Sequence, residues 1–359
     1  MLIILKKKNL VMNSKIKLTL GEGIEIEAEE LPFSQEIKIV KNPRDILKLL
    51  CIGTNIPHWP EFDKYILHDL IHFHANSIVL VETANIVAHV LVYHYKKDTL
   101  YFGFFGVIGD KTAKIEFMID KLIEYAKKTK YKFIRGPINI PTIIYGWGFM
   151  EKGSSTKLSI HKPVNLPIYN EIFSRKGFSV ILKEFSYEGE FQPIPLHFIE
   201  NYDFSDYELI HFNNWDDFAK IKHEFLLLNS KNLPPKSVVT PDSGGIFDNY
   251  FDFIKQYGNP FMLVFLKYIK TNKLIGCFIG TPDPFNKDSF VLLTIVIDKE
   301  HRNKGLGWLM AKDLLDNALK HNIRYCTTFV GSHVVRTKEM SEKDGLPLKR
   351  THIIFLYSI

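Results

Sequence analysis

Thr294-Ile295-Val296-Ile297-Asp298-Lys299-Glu300-His301-Arg302-Asn303-Lys304-Gly305-Leu306-Gly307 reads as an apolar strand that feeds a charged turn and then opens a helix. Glycines at 305 and 307 let the backbone approach a ligand closely. The helix that begins there offers amides without intrahelical partners and a positive dipole end. A turn of this kind binds a pyrophosphate largely through main chain, and Arg302 and Lys304 add charge. Further along, Leu306, Met310, Leu314 and Ala318 recur at helical spacing, so that stripe is core and only the first turn faces a ligand.

The elements around this turn occur twice in the chain. The second half reads as a strand at Glu208 to Phe212, helices at Trp215 to Leu228 and Phe247 to Tyr257, and strands at Phe261 to Tyr268, Leu274 to Gly280 and Phe290 to Asp298. A helix from Gly305 to His321, a strand from Arg324 to Val330, a short helix before Gly345 and a strand from His352 to Tyr357 complete it. The first half repeats that order. After a polar lead-in come a strand at Ile37 to Val40, helices from Pro43 and over Phe62 to His74, and a meander at Ser77 to Glu82, Ile86 to Tyr95 and Leu100 to Val107. The helix around Ile115 to Ala126, the strand Tyr131 to Arg135, the helix Tyr169 to Arg175 and the strand Phe178 to Phe185 follow. Corresponding elements lie roughly 185 to 193 residues apart, a duplication on the scale of a domain. The expected fold is α/β with a mixed, mostly antiparallel sheet flanked by helices, in two tandem domains, 1–190 and 206–359, joined near Glu188 to Asp206.

A chain of 359 residues is long enough for two cores, and its 46% hydrophobic and 24% charged content is that of a globular protein. The net charge of +6 favours anionic ligands, but no dense Lys/Arg block accompanies it, so no nucleic-acid partner is expected. Three cysteines, Cys51, Cys277 and Cys326, without CxxC spacing, indicate neither a disulfide framework nor a zinc knuckle, which fits a reducing cytoplasm. No run approaches the roughly 20 apolar residues of a membrane span, and Met1 to Leu5 is too short for a signal sequence.

The strand, Arg302-Asn303-Lys304-Gly305-Leu306-Gly307 and the following helix resemble motif A of the GNAT acyltransferase superfamily, in which R/Q-x-x-G-x-G/A joins an apolar strand to a helix. The resemblance covers the second half. In the first half, Arg135-Gly136-Pro137-Ile138-Asn139 and Gly146-Trp147-Gly148-Phe149 resemble tandem-GNAT proteins. This implies acetyl-CoA or another acyl-CoA as cosubstrate, with Ile295, Val296 and Ile297 presenting backbone groups to pantetheine and the amides from Asn303 to Gly307 holding the pyrophosphate. It also implies direct attack of an amine, small-molecule or peptide, on the acyl carbonyl, with a base, a polarising backbone amide and an acid for the leaving thiolate. Two positions depart from the family. The strand Glu found in many members is Thr294 here, and the Tyr acid is Ser341. His333 and Thr294 itself are the candidate catalytic residues, with Asp283 or Asp288 as a further choice acting through water, whereas Tyr325 and Tyr357 read as packing residues.

The corresponding turn of the first half, Val107-Ile108-Gly109-Asp110-Lys111-Thr112, lacks the arginine and the glycine pair. That copy is expected to bind no coenzyme A and to shape the acceptor pocket. His68 and His72 share a helix face around Asp69, but without a third ligand they read as a solvated face, so no metal site is expected. Gly146-Trp147-Gly148-Phe149 reads equally as a wall over the acceptor or an interdomain plug. The sequence leaves three functions to weigh. They are an acyl-CoA-dependent N-acyltransferase, a coenzyme A-binding regulatory or scaffolding protein without turnover, and a transferase of the Fem type using aminoacyl-tRNA, against which the intact turn argues.

Overall fold

The computed structural model describes residues 15–20, 24–31, 34–83, 85–109, 112–153, 162–232, 246–283, 285–343 and 345–359. The first half begins with β1 (Lys15–Leu20), β2 (Ile24–Leu31) and β3 (Ser34–Val40), followed by α1 (Pro43–Leu49) and α2 (Asp63–His72). Its meander is β4 (Asn76–Glu82), β5 (Asn85–His94) and β6 (Thr99–Val107), and α3 (Thr112–Lys128) leads from it to β7 (Phe133–Gly136). The short α4 (Thr142–Tyr145), β8 (Phe149–Lys152) and α5 (Ile168–Arg175) bring the chain to β9 (Ser179–Glu190). The second half runs β10 (Tyr207–Ile210), α6 (Trp215–Lys220), α7 (Lys222–Asn232), α8 (Ile246–Tyr257), β11 (Leu263–Tyr268), β12 (Lys273–Asp283) and β13 (Asn286–Ile297). It ends on α9 (Leu306–Lys320), β14 (Tyr325–Gly331), α10 (Val335–Lys343) and β15 (Leu348–Ser358).

All strands belong to one sheet in the order β1-β2-β3-β4-β5-β6-β7-β15-β9-β14-β13-β12-β11-β10, with β8 added on β15. Two neighbouring pairs along this order are parallel, β6 with β7 and β13 with β14, each bridged by the helix between its strands, α3 or α9. The final strands are exchanged. β15 lies beside β7 of the first half, β9 lies beside β14 of the second, and β9 and β15 pair antiparallel in the middle. Helices α3 and α5 cover one face of the first half through Ile115, Met118, Leu122, Ile172 and Phe173, while α9 covers the second half through Leu306, Met310, Leu314 and Ala318. The helical stripe read from the sequence is therefore core. A cluster containing Ile66, Leu70, Ile144 and Tyr145 of the first half takes in Phe253, Val291 and Ile354 of the second, so the halves share buried surface.

The mixed α/β fold agrees with the expectation, and three details differ. The polar lead-in is a hairpin, because Lys15 to Leu20 and Ile24 to Leu31 alternate with period two. Leu18, Ile26 and Ala28 are buried on one face, and Lys15–Glu27 (2.5 Å) and Lys17–Glu25 (2.8 Å) pair across the other. The helix expected over Trp215 to Leu228 is two helices meeting at Ile221. Glu188 to Glu190, expected in the linker, still belong to β9.

Candidate active site

β13 stays beside β14 only from Ser289 to Leu292, opposite Tyr325 to Thr328. Beyond that point β14 follows β9 and β13 follows β12, so the parallel pair parts and opens a cleft in the sheet. Just past the parting, Ile279 lies opposite Thr294 and Gly280 opposite Leu292, which leaves Leu293 as an extra residue in a β-bulge. From Leu293 to Ile297, β13 has no strand on the side of β14 among the described residues, so backbone groups that alternate toward that side face the cleft. On the α9 side, a cavity of about 30 Å³ between β13, β14, α9 and α10 is lined by Leu292, Ile295, Thr328, Met340 and Ser341, among others.

The same strand delivers the turn. Asp298 accepts from the Glu300 amide (3.2 Å) and starts a short 3-10 turn at Lys299–His301. Asn303 and Gly305 both take left-handed φ, +63° and +72°, and Gly305 is the N-cap of α9. Its carbonyl accepts from the Trp308 and Leu309 amides at 3.0 and 3.1 Å, while the amides before them lie ahead of the helical ladder. The Arg302 side chain is turned back. Its Nε donates to the Ile297 carbonyl (2.9 Å) and its Nη2 to Asn232 Oδ1 (3.1 Å), so it braces the turn against β13 and α7. Lys304 is exposed, donates to the Tyr207 hydroxyl (3.0 Å), and is held above the usual lysine range by that bond.

The residues considered for proton transfer are spread out. Thr294 directly follows the bulge and is half-buried. His333 sits two residues past β14 at the open end of the cleft, with its ring against Gly331. Ser341 is buried beside the cavity and donates to the Thr337 carbonyl (3.1 Å). Asp283 is tied into the β12–β13 turn by the Phe285 amide (2.9 Å) and the Asn286 side chain. Asp288 is exposed and five residues from the bulge, roughly 17 Å along the strand.

The opposite face of the cleft is covered by the first half. Leu293 and Phe329 of the second half and Ile143 and Trp147 of the first pack against one buried cluster, and Trp59 stands 6.0 Å from the Phe285 ring and 5.7 Å from Tyr257. Trp147 is half-buried against this cluster, and Phe149 is core beneath α5. The same face of the exchanged strands carries a buried charged row that sequence reading missed, formed by Glu184, Arg350 and His352 with Lys162 laid over them. Lys162 contacts Glu184 and lies 4.1 Å from the Trp147 ring and 4.8 Å from Phe329, while Arg350 Nε meets Glu188 at 2.9 Å. Burial pushes Lys162 well below the usual lysine range. Burial, and secondarily the neighbouring Lys162, push His352 down to about 3, and its Nε2 donates to the Pro163 carbonyl (2.9 Å).

A histidine held neutral in the fold but protonated when unfolded makes stability fall as pH drops below the unfolded value of about 6.5, levelling off near the folded value of about 3. Between pH 7 and pH 5 this group alone removes about 2 kcal/mol. Urea unfolding of wild type and His352→Gln at both pH values checks it, and an equal loss in the two proteins would contradict the assignment.

The first half has the same parting of strands and a different filling. β6 stays with β7 only from Thr99 to Tyr101, and its bulge falls between Gly103 and Gly106. There the Phe104 amide donates to Oδ1 of the buried Asn139 (2.7 Å), whose Nδ2 donates to the Tyr145 carbonyl (2.9 Å). The amide at this bulge is therefore already occupied by the chain itself. A cleft of about 350 Å³ remains, lined by Gly53 to Ile56, Phe105, Val107, Phe149 and Tyr169, among others, and among the described residues no cation lines it. Asp110 and Lys111 of the corresponding turn lie outside the described residues. His68 and His72 stack at 5.9 Å, and the described residues contain no group of three or more His, Cys, Asp or Glu placed to hold a metal.

Residues 233–343 match the acetyltransferase (GNAT) family model. Among solved structures, the chain is similar to a tandem GNAT protein from the clavulanic acid biosynthesis pathway, at 12% identity and a TM-score of 0.54, covering 90% of this chain and 98% of that one. It is also similar to the GCN5-related glucosamine N-acetyltransferase region of a fungal multi-domain GH3 β-N-acetylglucosaminidase, at 12% identity and a TM-score of 0.54, covering 92% of this chain and 39% of that one. At these identities the similarity speaks to the fold. No curated protein sequence matches the chain.

Proposed function

We propose that this chain, whose residues 233–343 match the acetyltransferase (GNAT) family model, is an acyl-CoA-dependent N-acyltransferase, most simply an N-acetyltransferase, acting on an amine of a small molecule or peptide. The observation that carries the reading is the coincidence on β13 of the parted strands, the bulge at Leu293 and the glycine turn leading into α9. The second domain, 206–359, holds the acyl-CoA. Backbone groups of Ile295, Val296 and Ile297 line the pantetheine, and the amides of Asn303, Lys304, Gly305, Leu306 and Gly307 receive the pyrophosphate. Arg302 keeps the turn in shape. The first domain, 1–190, is a degenerate copy that covers the acceptor side.

In the reaction, the acceptor nitrogen attacks the thioester carbonyl, the carbon–sulfur bond breaks, and the amine proton leaves while the thiolate takes one up. A backbone amide at the bulge polarises the carbonyl. Thr294 on the strand and His333 at the open end are the candidate proton-handling groups of this chain. Calorimetric titration with acetyl-CoA, followed by thiol release against a panel of amines, tests the reading. Binding with turnover on at least one amine is expected. Binding without turnover on any amine would favour a regulatory role, and no binding would end both.

A further inference from the structure

The segment joining the two halves is not a free linker. Its 3-10 turn at Leu196–Phe198 lays Phe198 on Trp308 in the first turn of α9, with ring centroids 4.6 Å apart and planes within 8°. The Tyr202 amide donates to the Ile199 carbonyl (3.1 Å), and its ring covers Gly305, so closely that a Cβ added there would stand 2.5 Å from Tyr202 Cδ2. At the far end of the segment, the Tyr207 hydroxyl accepts from Lys304 (3.0 Å) and lies 3.2 Å from His301 Nδ1. Phe198 and Tyr202 of the joining segment, and Tyr207 at the start of β10, thus touch the phosphate turn or the helix it opens. Tyr202 still exposes 44% of its surface.

We propose that this strap is part of the cofactor site and that Tyr202 receives the nucleotide end of acyl-CoA. The inference rests on the acyl-CoA reading above. If pantetheine lies along Ile295 to Ile297 and the pyrophosphate on Asn303 to Gly307, the nucleotide leaves the turn on its outer side, away from the parted strands. The Tyr202 ring, held between Gly305 and Phe204 (centroids 6.1 Å apart, planes within 27°), offers its exposed part to a base there. Lys304, fully exposed and drawn to the same side by Tyr207, adds a cation for the phosphate carried by the ribose.

Titrations of the full chain with coenzyme A and with 4′-phosphopantetheine, which lacks the 3′-phosphoadenylyl group, test this. In Tyr202→Ala, coenzyme A affinity is expected to fall about tenfold, the scale of one base–aromatic stack, while 4′-phosphopantetheine affinity stays at its wild-type value. Tyr202→Leu keeps an apolar cover over Gly305 without the aromatic face and is expected to behave in the same way, which guards against a folding defect in the alanine variant. An unchanged ratio of the two affinities in both variants overturns the role of Tyr202. Failure of wild type to bind either compound overturns the acyl-CoA reading instead, and this inference with it.

Discussion

Gly305→Asp is expected to weaken acetyl-CoA binding by at least about a hundredfold while the thermal transition of the protein moves by only a few degrees. Three effects act in the same direction. At φ +72° an L side chain is strained, by about 1–2 kcal/mol. Its Cβ would sit 2.5 Å from the Tyr202 ring, so the strap has to move off the turn. The new carboxylate would then face bound phosphate at the N-terminus of α9, where the helix otherwise favours an anionic ligand. Gly305→Ala separates the terms, since it keeps the strain and the collision but adds no charge. Its affinity should fall between the two. Acetyl-CoA binding by the aspartate variant within a factor of three of wild type would show that the turn is not the phosphate site.

The second large effect is on stability. Lys162→Ala is expected to cost about 3–5 kcal/mol in urea unfolding, because Glu184, buried opposite His352 on the neighbouring strand, is left without its cation. Coulomb attraction in the pair is largely offset by the water both groups lose on burial, so the pair itself stabilises little and the damage comes from breaking it. The double variant Lys162→Met with Glu184→Leu should therefore recover most of the loss. If each single variant cost less than 1 kcal/mol, or if the double variant were as unstable as the worse single one, this account of the buried row would be wrong.

The turn was legible in sequence because its chemistry is local: strand, glycines and helix are contiguous from Thr294 to Gly307, and their spacing alone places amides at a helix start. Arg302 was legible as a residue of the turn but not in its contacts, since Asn232, its partner, lies 70 positions earlier. The charged row escaped for another reason. Glu184, Ser186 and Glu188 alternate with Phe185 and Tyr187, a pattern that ordinarily marks a strand with one wet face. Here the other face is covered as well, because Lys162 and Trp147 come from an irregular segment and β15 comes from the far end of the chain. Burial of that kind depends on which strands become neighbours, and periodicity is silent about neighbours that lie more than a hundred residues apart. The hairpin β1–β2 was missed although it was readable, its alternation of Lys and Glu with apolar residues being the signal.

The exchange of β9 and β15 decides how far the two halves can be separated. The last strand of the second half is seated between β7 and β9, both made by the first half, and β14 is flanked on its outer side by β9 rather than by its own β15. The first half fills its own bulge with Asn139, yet its removal would strip β15 and β14 of neighbouring strands. A substitution that shifts β9 or β15 is therefore felt on both sides, and the two halves tolerate change as one unit.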